Sequence, residues 1–404
     1  MTPRRPSGGG TPSAVFTPAD LGPVRLRNRV IKSATFEGVA PRGAVTDELI
    51  EFHRRVAAGG VGMSTVAYLA VSPEGRTDRH CVVLDESSAE GLRRLTDAVH
   101  EEGARASAQI GHAGPVANAR SNGVAAVAPS RRLSASGLPT RAATEADLDR
   151  ITGEFGRAAS VAVEAGFDCL EIHLGHNYLL SSFLSPRLNR RKDSWGGDLD
   201  HRARFPRQVV AAVRKGAEAA GGGVAVTAKL NMADGVPGGF WLEESIPFAR
   251  MLEADGQLDA LVLTGGSSLS NPMYLFRGEA PRREFAATLP TPLRLGFRAF
   301  GSRFLKEYPF EEAFFLPYAR LFREALGMPL VLLGGINQLD TAESALAEGF
   351  GFVAMARALL RDPDLVSRWE KGENRAGTCI HCNKCMPTIY SGTRCVIGGP
   401  VAGD

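Results

Sequence analysis

Two histidines and a tyrosine stand close together in the segment EIHLGHNYLLSSFLSP. His173 and His176 are three residues apart, and Tyr178 follows two residues later. Two imidazole N–H groups can hold one carbonyl oxygen, and a nearby phenol can deliver a proton. A zinc site would need a third or fourth ligand, and none is obvious in this segment. The set therefore predicts acid–base chemistry on a carbonyl compound.

Four of the six cysteines form a second group, with the spacing C-x2-C-x2-C-x9-C. Four thiolates at this spacing can enclose a [4Fe–4S] cluster or a zinc ion, and free thiols are the third alternative. Such bunching favours a metal site in a reducing compartment over a disulfide framework, so a cytoplasmic location is expected. The four are Cys379, Cys382, Cys385 and Cys395.

The secondary-structure elements that must position these groups repeat in one order: an amphipathic helix, a glycine, then a short apolar run. In the helix predicted for Glu145–Ala165, Thr144 is placed to cap the first turn and Asp147 completes a box-like start. Gly166 supplies a left-handed end, and the apolar run FDCLEIH follows. Apolar strands alternating with helices predict a buried parallel sheet.

Eight such strands can be counted, which is the number that closes a (β/α)8 TIM barrel. An open doubly wound sheet is the alternative, but no G-x-G-x-x-G opens a helix after the first strand. In a barrel the chemistry lies where strands end and βα loops begin. The predicted strands are Val30–Phe36, Val61–Ala70, Ala104–Ile110, Asp168–His173, Val224–Asn231, Ala260–Thr264, Leu330–Gly334 and Gly351–Met355.

Composition narrows the class of protein. A net charge of +3 with scattered basic residues gives no reason to expect nucleic acid or an anionic membrane as a partner. No run of 18 apolar residues spans a bilayer. We expect a disordered tail at residues 1–14, a barrel at 15–363 and a short Cys-rich extension at 364–404; a homo-oligomer is left open.

The segment HLGHNYLLSSFLSPRLNRRKDSWGGDLDHRARF resembles the signature of the old yellow enzyme family, H-x-x-[HN]-x-Y-L-x-x-x-F-L-S-P followed by N-x-R-x-D-x-[YW]-G-G. The resemblance runs from about Phe16 to the last cysteine. It implies a barrel that binds FMN. It also implies that His173 and His176 bind the carbonyl oxygen of the substrate and that Tyr178 is the proton donor.

Further positions resemble the flavin contacts of that family. Gln109 matches the glutamine on the pyrimidine edge of FMN, and Lys229 stands where the family has Arg or Lys. A buried cation is costly without a negative charge nearby, which reduced flavin would provide. A structural ion pair between Lys229 and Asp234 is the alternative. Along the first strand, the resemblance places Ser33, Ala34 and Thr35 beside the flavin.

A phosphate group is expected after strands seven and eight. Gly334 and Gly335 lead into a helix, where backbone N–H groups favour an anion. Ala356 and Arg357 follow strand eight, and Arg357 matches the family's phosphate-binding arginine. The chain departs from the family at Phe36, where many relatives have Cys or Thr, which excludes a thiol or covalent flavin link there. Tyr68 is expected either to face the substrate or to pack at the rim.

The cysteine spacing resembles the cluster segment of 2,4-dienoyl-CoA reductase and trimethylamine dehydrogenase. The resemblance as a whole implies an ene-reductase: NAD(P)H reduces FMN, and an α,β-unsaturated carbonyl compound then accepts the hydride. An amine or alicyclic dehydrogenase that passes electrons through the cysteine cluster is the alternative. Two remoter hypotheses are a flavin-free aldolase with a Schiff base on Lys229 and a catalytically silent binding protein.

Overall fold

The computed structural model describes residues 13–289, 291–373 and 375–397. Residues 1–12 of the predicted tail lie outside this range, while Ala14 begins a 3-10 turn. The strands are β1 Ala19–Leu21, β2 Val24–Leu26, β3 Val30–Lys32, β4 Met63–Ala70, β5 Arg105–Gly111, β6 Val127–Ala128, β7 Arg141–Ala142, β8 Cys169–Leu174, β9 Ala225–Asn231, β10 Ala260–Thr264, β11 Leu330–Leu333 and β12 Phe352–Met355.

Helices alternate with these strands. They are α1 Asp47–Ala58, α2 Glu86–Glu101, α3 Ala119–Asn122, α4 Glu145–Glu164, α5 Leu179–Leu184, α6 Leu199–Ala219, α7 Leu242–Asp255, α8 Met273–Phe276, α9 Arg282–Ala287, α10 Thr291–Phe304, α11 Leu316–Ala325, α12 Leu339–Ala347, α13 Arg357–Arg361 and α14 Leu365–Glu370.

Eight strands close into a parallel barrel in the order β3-β4-β5-β8-β9-β10-β11-β12, which confirms the predicted fold. Each predicted strand is present. The first is shorter than predicted because the chain leaves the barrel wall after Lys32. The last backbone hydrogen bond that ties it to the neighbouring strand runs from the Ser33 N–H to the Met355 carbonyl (2.7 Å). The residues that follow are free to turn across the mouth of the barrel.

Helix α4 shows how local sequence fixes an outer helix. Thr144 and Asp147 form the predicted capping box, which is worth about 1 kcal/mol. Leu148, Ile151 and Phe155 are buried against the barrel wall. Gly166 has φ +88°, a conformation that favours glycine, so the chain turns back into β8.

The amino-terminal hairpin β1–β2 was not predicted from sequence. Its buried residues, among them Leu21 and Leu26, form one apolar cluster with inward-facing barrel residues such as Ile31 and Cys169. This cluster closes the amino-terminal end of the barrel. The carboxyl end is covered instead by the long connections that follow β5 and β10 and by the Cys-rich extension. Among the described helices, none is long and apolar enough to cross a membrane.

Candidate functional site

A cavity of about 460 Å³ opens at the carboxyl ends of the barrel strands. The twelve residues that the sequence assigned to catalysis or flavin binding all line it, so the structure brings together side chains from six different strand ends. They are Ser33, Ala34, Thr35, Gln109, His173, His176, Tyr178, Lys229, Gly334, Gly335, Ala356 and Arg357.

The two histidines and the tyrosine form one group on the cavity wall. The rings of His173 and Tyr178 are stacked, with centroids 4.3 Å apart and planes 21° apart. The His173 and His176 rings meet edge to face at 5.1 Å. The backbone N–H of Gly175 donates to His173 Nδ1 (3.2 Å), which leaves the proton of a neutral ring on Nε2. His176 Nε2 contacts the Thr264 hydroxyl at 3.0 Å.

Burial keeps both imidazoles uncharged. It lowers the pKa of His173 well below the ordinary value, and the nearby His176 ring and the Lys229 charge act in the same direction. Burial, with a smaller contribution from Lys229, lowers the pKa of His176 to about 3. A neutral imidazole still carries one N–H donor. The pair can therefore polarise an oxygen by hydrogen bonding at neutral pH without becoming charged.

A buried ion pair lies at the floor of the cavity. Lys229 Nζ donates to Glu171 Oε1 at 2.8 Å and to Ser33 Oγ at 3.2 Å, and Gln109 Nε2 donates to the same carboxylate oxygen at 2.7 Å. Strand register explains the group, because Gln109 is paired with Glu171 and Lys229 with His173 across neighbouring parallel strands.

The expected alternative of an ion pair between Lys229 and Asp234 is wrong. Asp234 lies in the loop beyond β9 and accepts hydrogen bonds from Ser185 Oγ (2.7 Å) and Asn231 Nδ2 (2.8 Å). Glu171 is the partner because its side chain points into the barrel at the level of Lys229.

Backbone after β11 approaches the cavity closely. Gly334 and Gly335 have φ +106° and +82°, and a Cβ on Gly334 would lie 2.5 Å from the Phe315 ring. Side chains at these positions would collide with Phe314 and Phe315, so the close approach of the backbone here requires glycine. Arg357 begins α13, and its Nη1 donates to the Arg277 carbonyl (3.0 Å) and to Asn383 Oδ1.

The segment that follows β3 is held in place by the buried side chain of Lys32. Lys32 Nζ donates to Thr35 Oγ1 at 2.9 Å, and Lys32 is itself buried beside Glu37. Phe36 lines the cavity. Tyr68 also lines it: its hydroxyl donates to the Gly75 carbonyl, and its ring meets the Tyr178 ring edge to face at 5.5 Å. Tyr68 thus both faces the cavity and packs at its rim.

All four cysteines of the extension line a second, small cavity, which also includes Arg357 and Arg361. Cys385 and Arg357 border this cavity and the large one alike. In residues 13–289, 291–373 and 375–397, no three His, Cys, Asp or Glu side chains are arranged to hold a metal ion. The four thiols nevertheless border one common space.

Comparison with known proteins agrees with this geometry. The model of the NADH:flavin oxidoreductase / NADH oxidase family matches residues 14–264. The chain belongs to this family. This is the old yellow enzyme family, so the protein is an oxidoreductase that uses flavin and NAD(P)H.

Individual relatives differ in length and in the reactions for which they are named. The chain is 62% identical over 389 residues to a 4,4'-dithiodibutanoate disulfide reductase of Rhodococcus erythropolis, covering 96% of this chain and 95% of that one. It is 34% identical to a metal reductase of Desulforamulus reducens, covering 94% of this chain but 52% of the longer relative. The solved structure of a 2-naphthoyl-CoA reductase matches with a TM-score of 0.80 and 25% identity, over 95% of this chain and 57% of the other.

Sequence reasoning missed two parts of this family member's site. Glu171 could have been found, because it precedes His173 by two residues on one strand and so shares its inward face. The second part is a wall contributed by the extension, where His381, Met386 and Thr393 line the large cavity. No sequence signal indicates that this segment folds back over the barrel.

Proposed function

We propose that the protein binds FMN in the large cavity and uses NAD(P)H to reduce the C=C bond of an α,β-unsaturated carbonyl compound. The observation that carries the proposal is the stacked pair His173–Tyr178, with neutral His176 beside it, in a cavity that also contains Gln109 and Lys229. Bound flavin would supply the hydride. Side chains of the protein would hold the cofactor, polarise the carbonyl oxygen and supply the proton.

The role proposed for each residue follows from the hydrogen-bond donors that it carries. His173 and His176 hold the carbonyl oxygen through N–H donors and stabilise the negative charge that develops there. The Tyr178 hydroxyl delivers the proton to the carbon next to the carbonyl. Lys229 and Gln109 hold the pyrimidine edge of the flavin. Gly334, Gly335, Ala356 and Arg357 hold its phosphate, while Ser33, Ala34 and Thr35 lie against the ring.

Replacing Tyr178 by Phe tests this proposal. The second-order rate of reoxidation by an enone such as 2-cyclohexenone should fall by about 10²–10⁴, because general acid catalysis is lost. Reduction of the flavin by NAD(P)H should be unchanged in the same stopped-flow experiment. Tyr318→Phe, on the outer helix α11, is the matched control. An enone rate that survives in Tyr178→Phe would remove the proposed proton donor.

A second candidate function is reduction of an organic disulfide, and the 62% identity with the Rhodococcus disulfide reductase favours it. One hydride equivalent cleaves the S–S bond to give one thiol and one thiolate, which takes a proton, so NAD(P)H and one proton yield two thiols. A thiolate is a good leaving group because thiols, such as the cysteine side chain with its ordinary pKa near 8.5, are far more acidic than a C–H group. This reaction therefore needs little help from a proton donor.

The two candidates predict different responses to the same variant. With 4,4'-dithiodibutanoate as acceptor, Tyr178→Phe should retain its rate to within about tenfold, since no carbon must be protonated. With an enone the loss should be far larger. Free thiol and saturated ketone are measured by mass spectrometry. Bleaching of oxidised flavin by amines under anaerobic conditions would favour the amine dehydrogenase alternative instead.

We further propose that Cys379, Cys382, Cys385 and Cys395 hold an iron–sulfur cluster. Four thiols around one space suit a cluster, whose ligands are bound to different iron atoms, better than a single zinc ion. The nearby guanidinium groups of Arg357 and Arg361 would offset the negative charge of four thiolates. Iron, sulfide and zinc analysis of anaerobically purified protein decides between cluster, zinc and free thiols.

A further inference from the structure

Glu171 is a buried carboxylate that contacts the cavity floor without a role in the reaction as described so far. It precedes His173 by two residues on β8, so its side chain points to the same inward face of the barrel, one layer deeper. Three residues that line the cavity, Gln109, Lys229 and Ser33, form one hydrogen-bonded group with it. Its influence on a bound cofactor is therefore exerted through these neighbours and through its charge.

The carboxylate fixes the orientation of the Gln109 amide. Gln109 Nε2 donates to Glu171 Oε1 at 2.7 Å. An ionised carboxylate only accepts hydrogen bonds, so a turned amide would place its own oxygen against the carboxylate oxygen, which is unfavourable. The amide oxygen of Gln109 is thereby left to accept a hydrogen bond from a ligand in the cavity. Glu171 thus decides which atom of the amide faces the ligand.

The same carboxylate directs the ammonium group of Lys229. A lysine ammonium carries three N–H donors. In the part of the chain that the structure describes, two of them are bound, to Glu171 Oε1 at 2.8 Å and to Ser33 Oγ at 3.2 Å. The third is left for a ligand in the cavity, which Lys229 lines. Lys229 therefore offers one donor in a direction that its two partners define.

Glu171 also offsets the charge of Lys229. The two side chains form an ion pair that is almost fully buried, and the other buried lysine near the cavity, Lys32, has its own partner in Glu37 at 3.4 Å. Charges are weakly screened in a protein interior, so an opposite charge 2.8 Å away strongly reduces the field of the ammonium group at a nearby ligand. A ligand on the cavity floor thus meets a nearly neutral pair and not a lone cation.

We propose that Glu171 is a positioning residue that lowers the reduction potential of the bound flavin. Reduction places negative charge on the pyrimidine edge, which Lys229 and Gln109 hold in the proposed function. A lone cation there would stabilise the reduced cofactor, and a carboxylate that offsets the cation removes much of that stabilisation. The reduced flavin is then a stronger hydride donor. This inference rests on the proposed placement of the flavin and not on which acceptor is reduced.

The two-electron reduction potential of the flavin in the holoenzyme, titrated against a reference dye at neutral pH, tests this proposal. Glu171→Gln keeps an acceptor oxygen but removes the charge. The equilibrium should shift towards reduced flavin by about tenfold or more, which corresponds to about 30 mV. Glu171→Asp keeps the charge and should stay within about threefold of the wild type. The matched control is Asp168→Asn, which removes a carboxylate bound to Arg105 at the opposite end of the same strand and should change the potential little.

A double variant covers the case in which an unpaired Lys229 destabilises Glu171→Gln. Lys229→Gln/Glu171→Gln keeps a polar group at each position and leaves no unpaired charge. Because both charges are removed together, its reduction equilibrium should lie within about threefold of the wild type. A shift of about tenfold or more towards oxidised flavin in this double variant would show that Lys229 acts without compensation, which overturns the proposal.

The single variant decides the proposal in the same way. A change of less than about twofold in Glu171→Gln, a change towards oxidised flavin, or an equal change in Asp168→Asn would overturn it. Neither an enone nor a disulfide enters the titration. If the expected shift is found in an enzyme that reduces neither compound, the proposed function fails and the role of Glu171 stands.

Discussion

At the residue scale, the barrel interior combines a buried cation, a buried anion and an amide in one hydrogen-bonded group. Lys229, Glu171 and Gln109 each come from a different strand, and the side chains of the ion pair are 3% and 5% exposed. The sequence predicted Lys229 and Gln109 as site residues, but the alternative ion-pair partner that it suggested for Lys229, Asp234, is wrong. Charge type can be read from one residue, whereas the partner depends on the register between strands that are far apart in the chain.

Breaking this pair should be costly to stability. Lys229→Met leaves the Glu171 carboxylate buried without a cation, and the free energy of unfolding of the apoprotein should fall by about 3–5 kcal/mol. Glu171→Leu should cost a similar amount. The double variant should lose much less than the sum, because no unpaired charge remains. Urea unfolding measures all three; additive losses would show that the two groups are not coupled.

The histidines make a second prediction at this scale, concerning pH. Because burial lowers the pKa of His176 to about 3, the unfolded chain takes up a proton below pH 6.5 that the folded chain refuses. The stabilising effect is complete above pH 6.5 and is lost as pH falls towards 3. Between pH 6.5 and 5 the wild type should lose about 2 kcal/mol more than His176→Asn. Urea unfolding of the apoproteins at these two pH values measures the difference, and parallel losses in both proteins would contradict the pKa shift.

At the element scale, the Cys-rich extension is a wall of the cavity. Backbone hydrogen bonds attach it to the barrel, as Thr393 donates to the Glu37 carbonyl (2.7 Å) and Glu279 donates to the His381 carbonyl (3.1 Å). His381 also stacks on Phe310, with centroids 3.3 Å apart. Spacing in the sequence predicted that its cysteines would come together. It could not predict the attachment, which depends on loops whose own conformation has no periodic signal.

Asn383 connects the extension to Arg357, the residue that we propose binds the flavin phosphate. Its side chain is buried, accepts from Arg357 Nη1 and donates to the Glu279 carbonyl at 3.0 Å. Asn383→Ala should lower the free energy of unfolding by about 1–3 kcal/mol and raise the Kd for FMN, because Arg357 loses an anchor. Asn122→Ala, which removes one bond to the Arg76 carbonyl, is the control. Equal FMN affinity in the two variants, measured by flavin fluorescence, would contradict this role.

At the scale of the whole molecule, the barrel was predictable because its signal is repeated. Eight apolar runs separated by amphipathic helices left few alternatives, and the strand ends then placed twelve site residues around one cavity. The amino-terminal hairpin carried no comparable repeat. Three-residue strands such as Ala19–Leu21 are too short to show an alternating pattern, so only the apolar cluster that they complete reveals their position.

Cofactor binding should reduce local opening in two segments that are far apart in the sequence. Because residues of the extension and of the β11–α12 connection line the same cavity, FMN should slow amide hydrogen exchange in both 381–393 and 333–336. The outer helix α4, which does not line the cavity, serves as an internal control. At a hundredfold excess over its Kd, FMN should add about 2.7 kcal/mol to the free energy of unfolding. Protection limited to the barrel strands would show that the extension does not enclose the cofactor.

The position of the extension in the cavity wall also sets an order of events during biosynthesis. His173 and Tyr178 leave the ribosome about two hundred residues before His381 and Thr393. At about 5–20 residues per second, that interval lasts about 10–40 s. The barrel itself can close only near the end of this interval, once its last strand Phe352–Met355 has been translated, so cofactor loading would be completed only after the last wall segment has been translated.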